Sequence, residues 1–235
     1  MRRFWNRRAR EDAFFFVDDR LEYGRPDEAS FWQGGEEVLD GFLNAFGLDL
    51  GPGQVAVDVG CGIGRLTRPL ARRVARVKAL DVSPDMLEQA RSYNRDLDNV
   101  EWLLGDGSSL AGVRDDSADV CLSVVTFQHI PDPEITLGYV REMGRALRPG
   151  GFALFQVSTD NAVHRPPGGR RRWLSELLRR TPRGVHDPAW LGSAIELDAL
   201  RAAVRDGGME LAGMVGAGTQ YCVVHARRAG ATLPG

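Results

Sequence analysis

Lysine is almost absent from this chain of 235 residues, since Lys78 is the one lysine among 30 basic residues. Cysteine is scarce too, and Cys61, Cys121 and Cys222 lie far apart with no metal-ligand spacing. Their odd number argues against a disulfide framework and predicts a reducing, cytoplasmic location. No apolar run reaches the ~18 residues of a membrane-spanning helix. No apolar core follows the charged N-terminus, as a secretory signal would require.

The charge of the chain is nearly balanced, with a formal net charge of −2. A net charge this small provides no global field that would recruit nucleic acid or a membrane surface. We therefore expect no nucleic-acid and no membrane partner. The His, Asp and Glu residues show no metal-ligand spacing, so we predict no bound metal.

A glycine-rich turn between a predicted strand and a predicted helix is the most informative feature that is present. The apolar run Val55–Val59 precedes it, and a helix is predicted from Arg65 to Ala75. The glycines stand at alternate positions, Gly60, Gly62 and Gly64. They let the backbone pass close to a ligand, to which the helix N-terminus offers free N–H groups.

The spacing of these glycines differs from the G-x-G-x-x-G of dinucleotide sites. Asp58 would repel a pyrophosphate but suits a cationic or amine-bearing ligand.

Two further predicted strands also end in acidic residues. Asp81 closes the second strand, 21 residues after Gly60, where a carboxylate can accept hydrogen bonds from both ribose hydroxyls. Asp106 follows the third strand, between Gly105 and Gly107, and can accept from an exocyclic adenine amine. The pattern favours an adenosine ligand without phosphates.

From Gln54 to Val157 the chain resembles the class I S-adenosylmethionine-dependent methyltransferases, in particular the small-molecule type of methyltransferase domain families 11 and 25. The resemblance is carried by VDVGCGIGRL, ALDVSPDML, LLGDG, ADVCLSVVTFQHIPDPE and LRPGGFALFQV, in this order and spacing. It implies S-adenosyl-L-methionine as cofactor and S-adenosyl-L-homocysteine as product. Asp58 and the glycine turn would hold the methionine part, Asp81 the ribose, and Asp106 with Gly107 the adenine, with Met86 packing on its face. The full predicted cofactor-binding set is Asp58, Gly60, Cys61, Gly62, Gly64, Asp81, Val82, Met86, Gly105, Asp106, Gly107 and Val125.

The predicted fold class is α/β, with a Rossmann-like doubly wound sheet. Alternating strands and helices from residue 55 to 157 predict a parallel sheet covered on both faces. The resemblance implies seven strands in the order 3-2-1-4-5-7-6, with strand seven antiparallel. We predict an N-terminal helical cap over residues 1–48 and a cofactor-binding domain over 49–235, with a lid insertion at about 160–192. The predicted elements within 49–235 are 55–59, 65–75, 77–81, 84–95, 100–104, 119–124, 134–147, 151–157, 196–206, 210–215 and 220–226.

His129 and Gln128, at the predicted end of strand four, are the candidate catalytic residues. Methyl transfer from a sulfonium needs mainly alignment of the acceptor and, where required, removal of a proton. His129 is interpreted as a general base or substrate ligand near the methyl group. Alternatively, it caps the following turn or lines the cofactor pocket. Gln128 is interpreted either as a substrate contact or as a residue that only supports the turn or the pocket.

Other residues have weaker signals. The aromatic residues Phe14-Phe15-Phe16, Tyr23, Phe31 and Trp32 either close over the methionine end or pack as a helical layer. The run Arg170–Arg172 either clamps an anionic substrate group or forms a solvated helix face. His164 and His186 are predicted to be surface residues.

The leading functional hypothesis is methyl transfer to an O, N or C atom of a small molecule, by a monomer or homodimer. A protein or peptide acceptor is the first alternative. An NAD(P)-dependent oxidoreductase and a non-catalytic cofactor-binding module are the other two, because a fold alone does not fix a function.

Overall fold

The fold is seen in a computed structural model that describes residues 1–164 and 187–230. The predicted Arg170–Arg172 run, His186 and most of the predicted lid lie outside the described residues. Among the helices of the described part, none is both long and apolar enough to cross a membrane.

A seven-stranded sheet forms the centre of the molecule, with the strand order β3-β2-β1-β4-β5-β7-β6. The first five strands pair in parallel, and β7 runs antiparallel between β5 and β6. The predicted fold class and strand order are therefore confirmed. The strands are β1 Val55–Val59, β2 Arg76–Asp81, β3 Val100–Leu104, β4 Ala118–Ser123, β5 Leu147–Val157, β6 Met209–Val215 and β7 Cys222–Arg228.

The helices of the described residues are α1 Arg2–Val17, α2 Glu28–Asn44, α3 Thr67–Ala71, α4 Pro84–Tyr93, α5 Pro133–Ala146, α6 Pro188–Leu191 and α7 Leu197–Asp206. The helix predicted over 65–75 is wrong in length, since only five residues are helical. Pro69 has no N–H to give to the carbonyl of Arg65, so the helix cannot begin there. β5 begins earlier than predicted because Leu147 already pairs with Ala118.

Apolar side chains cover both faces of the sheet because neighbouring residues of a strand point to opposite faces. Val57 and Phe155 belong to the cluster on one face, with the helices α5 and α7. Ala56 and Leu154 belong to the cluster on the other face, with α2 and α3. This two-sided burial explains why the central strands are almost continuously apolar.

The N-terminal helix α1 packs on α4 beside the glycine turn, whereas α2 packs on α3. α1 is kinked at Asp12, whose side chain accepts from Phe15 N–H at 3.1 Å and from Gly24 N–H at 2.6 Å. A third apolar cluster joins α1 and α2 to the glycine turn and α4 through Phe14, Phe31, Ile63 and Met86. The predicted helices of residues 1–48 are thus present, and the domain boundary at 48 stays a prediction.

Candidate functional site

The glycine turn after β1 lies directly against its neighbours. Gly60 and Gly62 have φ values of 76° and 55°, a region that side chains rarely adopt. A Cβ at Gly60 would lie 2.2 Å from the Thr126 side chain, and one at Gly62 would lie 2.8 Å from Val17. The Gly60 N–H donates to the carbonyl of Leu80 at 2.8 Å, so the turn is held beside the end of β2. Glycine is therefore needed both for conformation and for space.

Two carboxylates lie at the carboxyl ends of β1 and β2, with Asp58 buried and Asp81 partly buried. Asp58 accepts from the Thr67 hydroxyl at 2.6 Å. Asp81 accepts from Gly62 N–H at 2.9 Å and from Ser83 N–H at 2.8 Å. Burial, which disfavours a charged carboxylate, raises the pKa of Asp58 and of Asp81 to about 6. Each carboxylate has further lone pairs available to a ligand.

A first cavity of about 970 Å³, counting its opening to solvent, lies in front of these carboxylates. Eleven of the fourteen residues predicted to bind the cofactor or act in catalysis line it, namely Asp58, Gly60, Cys61, Gly62, Asp81, Val82, Met86, Gly105, Gly107, Val125 and His129. Gly64 packs instead on Asn94 and Trp102. Burial raises the pKa of the Cys61 thiol well above its usual value, so the thiol is unreactive.

Asp106 is exposed and is not part of the lining of the first cavity. Its carboxylate accepts from the N–H groups of Ser108 and Ser109, both at 2.8 Å, and from their hydroxyls. The predicted contact with an adenine amine stays a prediction.

The start of α1 closes this end of the first cavity, a contribution that the sequence did not indicate. Met1 and Trp5 line the cavity. Arg2 donates to the carbonyls of Val82 at 3.1 Å and Gly105 at 3.0 Å. The N-terminal helix therefore contacts the same two loops that carry the predicted ribose and adenine contacts.

A second cavity adjoins the first. Phe16, Val17, Arg65, Val124, Val125 and His129 line both cavities, and Gln128, Gln156, His164, Trp190 and Tyr221 are among the residues that line only the second. Gln156 donates to the Gln128 side chain at 2.9 Å. The structure thus places the two predicted catalytic residues differently, with His129 at the junction of the cavities and Gln128 in the second.

His129 is held by contacts on several sides. Its Nδ1 lies 2.7 Å from the carbonyl oxygen of Trp190. Its ring centroid lies 4.9 Å from that of Trp190 and 5.5 Å from that of Trp5. Burial lowers the pKa of His129, because the charged imidazolium is disfavoured there, although the Trp190 carbonyl and Asp19 oppose this shift. The His129 imidazole is therefore uncharged at neutral pH.

An ion pair between Asp18 and Arg65 also borders the second cavity. Arg65 Nη1 lies 2.8 Å from Asp18 Oδ2, and both side chains are only 6% exposed. Arg20 also binds Asp18, at 2.6 Å. Burial opposes the charge on Asp18, but the hydrogen bond from Arg20 and the charge of Arg65 hold its pKa below the usual value. Nothing in the sequence pattern singled out these residues.

Three sequence-based interpretations are refined by the structure. His164 was predicted to lie on the surface, but it is partly buried, its Nδ1 bonds to the carbonyl of Leu191, and it lines the second cavity. Among the aromatic residues, Phe14 and Phe31 pack in the helical layer, whereas Phe16 lines both cavities. Val125, at the end of β4, has a φ of 66°, which for a β-branched residue costs about 1–3 kcal/mol.

Several known proteins are similar to this chain in sequence or in fold. A family model described as "Methyltransferase domain" matches residues 57–155. A ubiquinone biosynthesis O-methyltransferase from Methylococcus capsulatus is 36% identical over 167 residues, which are 71% of this chain and 67% of that protein. The methyltransferase GfsG from Streptomyces halstedii is 36% identical over 57% of this chain, and the chain spans about half, 49%, of its length. Magnesium protoporphyrin IX methyltransferase from Synechocystis PCC 6803, solved with S-adenosylhomocysteine, has a TM-score of 0.62 at 18% identity, covering 97% of this chain and 98% of that one.

Proposed function

The chain belongs to the class I S-adenosylmethionine-dependent methyltransferases, and from this membership we propose that it methylates a hydroxyl oxygen of a small molecule. S-adenosylmethionine is its cofactor. The choice of oxygen among O, N and C rests on one observation, the neutral His129 at the junction of the two cavities. A hydroxyl must lose its proton on methylation, and a neutral imidazole can accept that proton. The name of the Methylococcus relative agrees with this choice.

The residues of the first cavity fit the cofactor. Gly60 and Gly62 line the cavity with backbone alone, so a ligand can approach the turn closely. Asp81 lines the cavity with acceptor capacity beyond its two backbone donors. We propose that it accepts from the ribose hydroxyls, that Asp58 faces the methionine amine, and that Met86 packs on the adenine.

The second cavity is proposed to hold the acceptor. It combines aromatic walls, such as Phe16 and Trp190, with the amides of Gln128 and Gln156. Apolar walls with a few polar groups are typical of small-molecule sites. A protein or peptide acceptor remains an outcome of the test below.

The reaction asks little of the protein beyond alignment and removal of a proton. When bound, S-adenosylmethionine supplies a methyl group on a positively charged sulfur that leaves as the thioether of S-adenosylhomocysteine. The cavity walls hold the acceptor oxygen in line for attack on that carbon. Nε2 of His129 takes the hydroxyl proton as the oxygen–carbon bond forms, and the resulting imidazolium releases the proton to solvent.

His129→Asn is expected to lower kcat by about 100-fold or more, the contribution typical of a positioned base. The asparagine amide can still donate to the Trp190 carbonyl, so the substitution removes Nε2 while keeping the contact at Nδ1. The test uses S-adenosylmethionine labelled in the methyl group, a panel of hydroxyl, amine and activated-carbon acceptors, and mass analysis of the products.

Oxygen methylation that is lost in His129→Asn, with unchanged S-adenosylhomocysteine affinity, would support the proposal. Label found on amines, carbons or added protein, and not on hydroxyls, would contradict the proposed acceptor. Full turnover of His129→Asn would contradict the proposed base.

Binding of S-adenosylhomocysteine is expected to weaken as the pH falls below about 6, by about tenfold per pH unit for each carboxylate that must be charged. Asp58 and Asp81 have pKa values of about 6, raised by burial, and the ligand's donors require their ionised forms.

The effect of pH on folding stability has the opposite sign. A carboxyl group whose pKa is raised in the folded state favours that state at low pH. That contribution is lost as the pH rises from about 4 through 6.

Calorimetric titrations between pH 5 and 8 measure this effect. Asp81→Asn serves as the control, since it removes one of the two titrating groups and should flatten the profile. An affinity in the wild type that stays constant across the range would contradict the assigned contacts.

A further inference from the structure

We propose that the segment Asp187–Ser193 positions His129, with the main-chain carbonyl of Trp190 holding the imidazole as the Nδ1–H tautomer and the Nε2 lone pair directed to the junction of the two cavities. The inference rests on the proposed function in one respect, the use of His129 as the base. The tautomer itself is a property of the protein alone.

The tautomer follows from the chemistry of the contact. A carbonyl oxygen can only accept a hydrogen bond, so the imidazole nitrogen at 2.7 Å must be the one that donates. Nδ1 therefore carries the proton. In the neutral ring Nε2 is then the hydrogen-bond acceptor. A lone pair in this state can receive a proton from a hydroxyl.

The ring of Trp190 fixes the plane of the imidazole. The two rings are inclined by 33° with centroids 4.9 Å apart. Trp190 in turn packs edge-to-face on Phe16 at 5.4 Å, and Trp5 lies edge-on to His129 at 5.5 Å. Because Phe16 and Trp5 both line the first cavity, this group of aromatic rings connects the position of His129 to the walls of the cofactor site.

Gly192 allows the segment to approach the turn that carries His129. It has φ 62° and ψ −149°, a conformation that is essentially confined to glycine. A Cβ at this position would lie 1.7 Å from the Gln128 carbonyl oxygen and 2.8 Å from His129 Cα. The backbones of the segment and of the turn are thus in direct contact.

Further hydrogen bonds fasten the segment on both sides of that contact. The Ser193 hydroxyl donates to the Ile130 carbonyl at 2.7 Å. His164 bonds through Nδ1 to the carbonyl of Leu191. Two successive carbonyls at the end of α6, those of Trp190 and Leu191, therefore each receive an imidazole N–H. These contacts hold the segment in a fixed position beside His129.

The tautomer can be measured without substrate. In the protein labelled with ¹⁵N-histidine, a long-range ¹H–¹⁵N correlation spectrum at pH 8 distinguishes protonated from unprotonated ring nitrogens, and His129→Asn assigns the signals. We expect an unprotonated Nε2 and a protonated Nδ1 for His129. The opposite tautomer in the wild type would overturn the proposal. Neither result depends on methyl transfer, so failure here is distinguishable from failure of the proposed function.

Gly192→Ala tests the support itself. The added methyl group must displace the segment, so we expect a mixture of tautomers and a kcat reduced by about 10- to 100-fold, as misplacement by about 1 Å can cause. S-adenosylhomocysteine affinity should stay within about twofold, because Gly192 does not line the first cavity.

Gly150→Ala is the matched control, since Gly150 also has a positive φ, 84°, but a Cβ there meets nothing within 4 Å. It should keep the wild-type tautomer. Trp190→Phe retains the main-chain carbonyl. If Gly192→Ala does not fold, the tautomer is measured in Trp190→Phe instead. It is expected to keep the tautomer. A tautomer lost in Trp190→Phe, or unchanged in a folded Gly192→Ala, would show that the carbonyl is not the determinant.

Discussion

Asp81→Ala is expected to weaken S-adenosylhomocysteine binding by about 100-fold or more. Two charge-assisted hydrogen bonds to the ribose, at about 1.5–3 kcal/mol each, would be lost together, and 1.4 kcal/mol corresponds to a factor of ten in affinity. The carboxylate is fixed at the end of β2 by Gly62 N–H and Ser83 N–H, so the substitution removes the acceptor from that place.

Calorimetric titration of the two proteins measures the difference. Asp81 also accepts from the backbone, so its removal can disturb the glycine turn, and Asp81→Asn separates the two effects by keeping one oxygen acceptor. Asp96→Ala is the surface control, because its side chain is 61% exposed and pairs with Arg68 at 3.6 Å. Retention of wild-type affinity by Asp81→Ala would remove the proposed ribose contact.

The central sheet could be predicted because its signals are local. Apolar runs bounded by glycine, proline and aspartate gave strand limits within a few residues, and the resemblance supplied the strand order that periodicity does not determine. The length of α3 could not be predicted in the same way. The missing N–H of Pro69 delays the start of the helix, and a turn ends it at Ala71 although apolar and basic residues continue beyond that point.

The site was predictable where it depends on the glycine turn and on strand ends, and unpredictable where it depends on distant contacts. Asp58 and Asp81 line the first cavity as their positions after parallel strands require. The pair Asp18–Arg65 spans 47 residues, and the contact of His129 with Trp190 spans 61. The sequence does not show which main-chain carbonyl will contact a histidine. It also does not distinguish Asp18 from the other aspartates.

Asp18→Ala is expected to lower the free energy of unfolding by about 3–5 kcal/mol. Removing one partner of a buried ion pair leaves the other charge buried without compensation. Arg65 is that other charge, and it cannot easily move to solvent, because its backbone and side chain pack against Gly35, where even a Cβ would lie 2.3 Å from the Arg65 carbonyl oxygen.

Urea unfolding followed by circular dichroism measures the loss, provided that the slope of the transition is unchanged. Asp19→Ala is the matched control, since the neighbouring aspartate is exposed and a surface substitution should stay within about 0.5 kcal/mol. The double variant Asp18→Ala/Arg65→Met removes both charges and should recover much of the stability, because an apolar side chain of similar length replaces the stranded guanidinium. Equal destabilisation by Asp18→Ala and Asp19→Ala would show that the pair does not hold the end of α1 against the glycine turn.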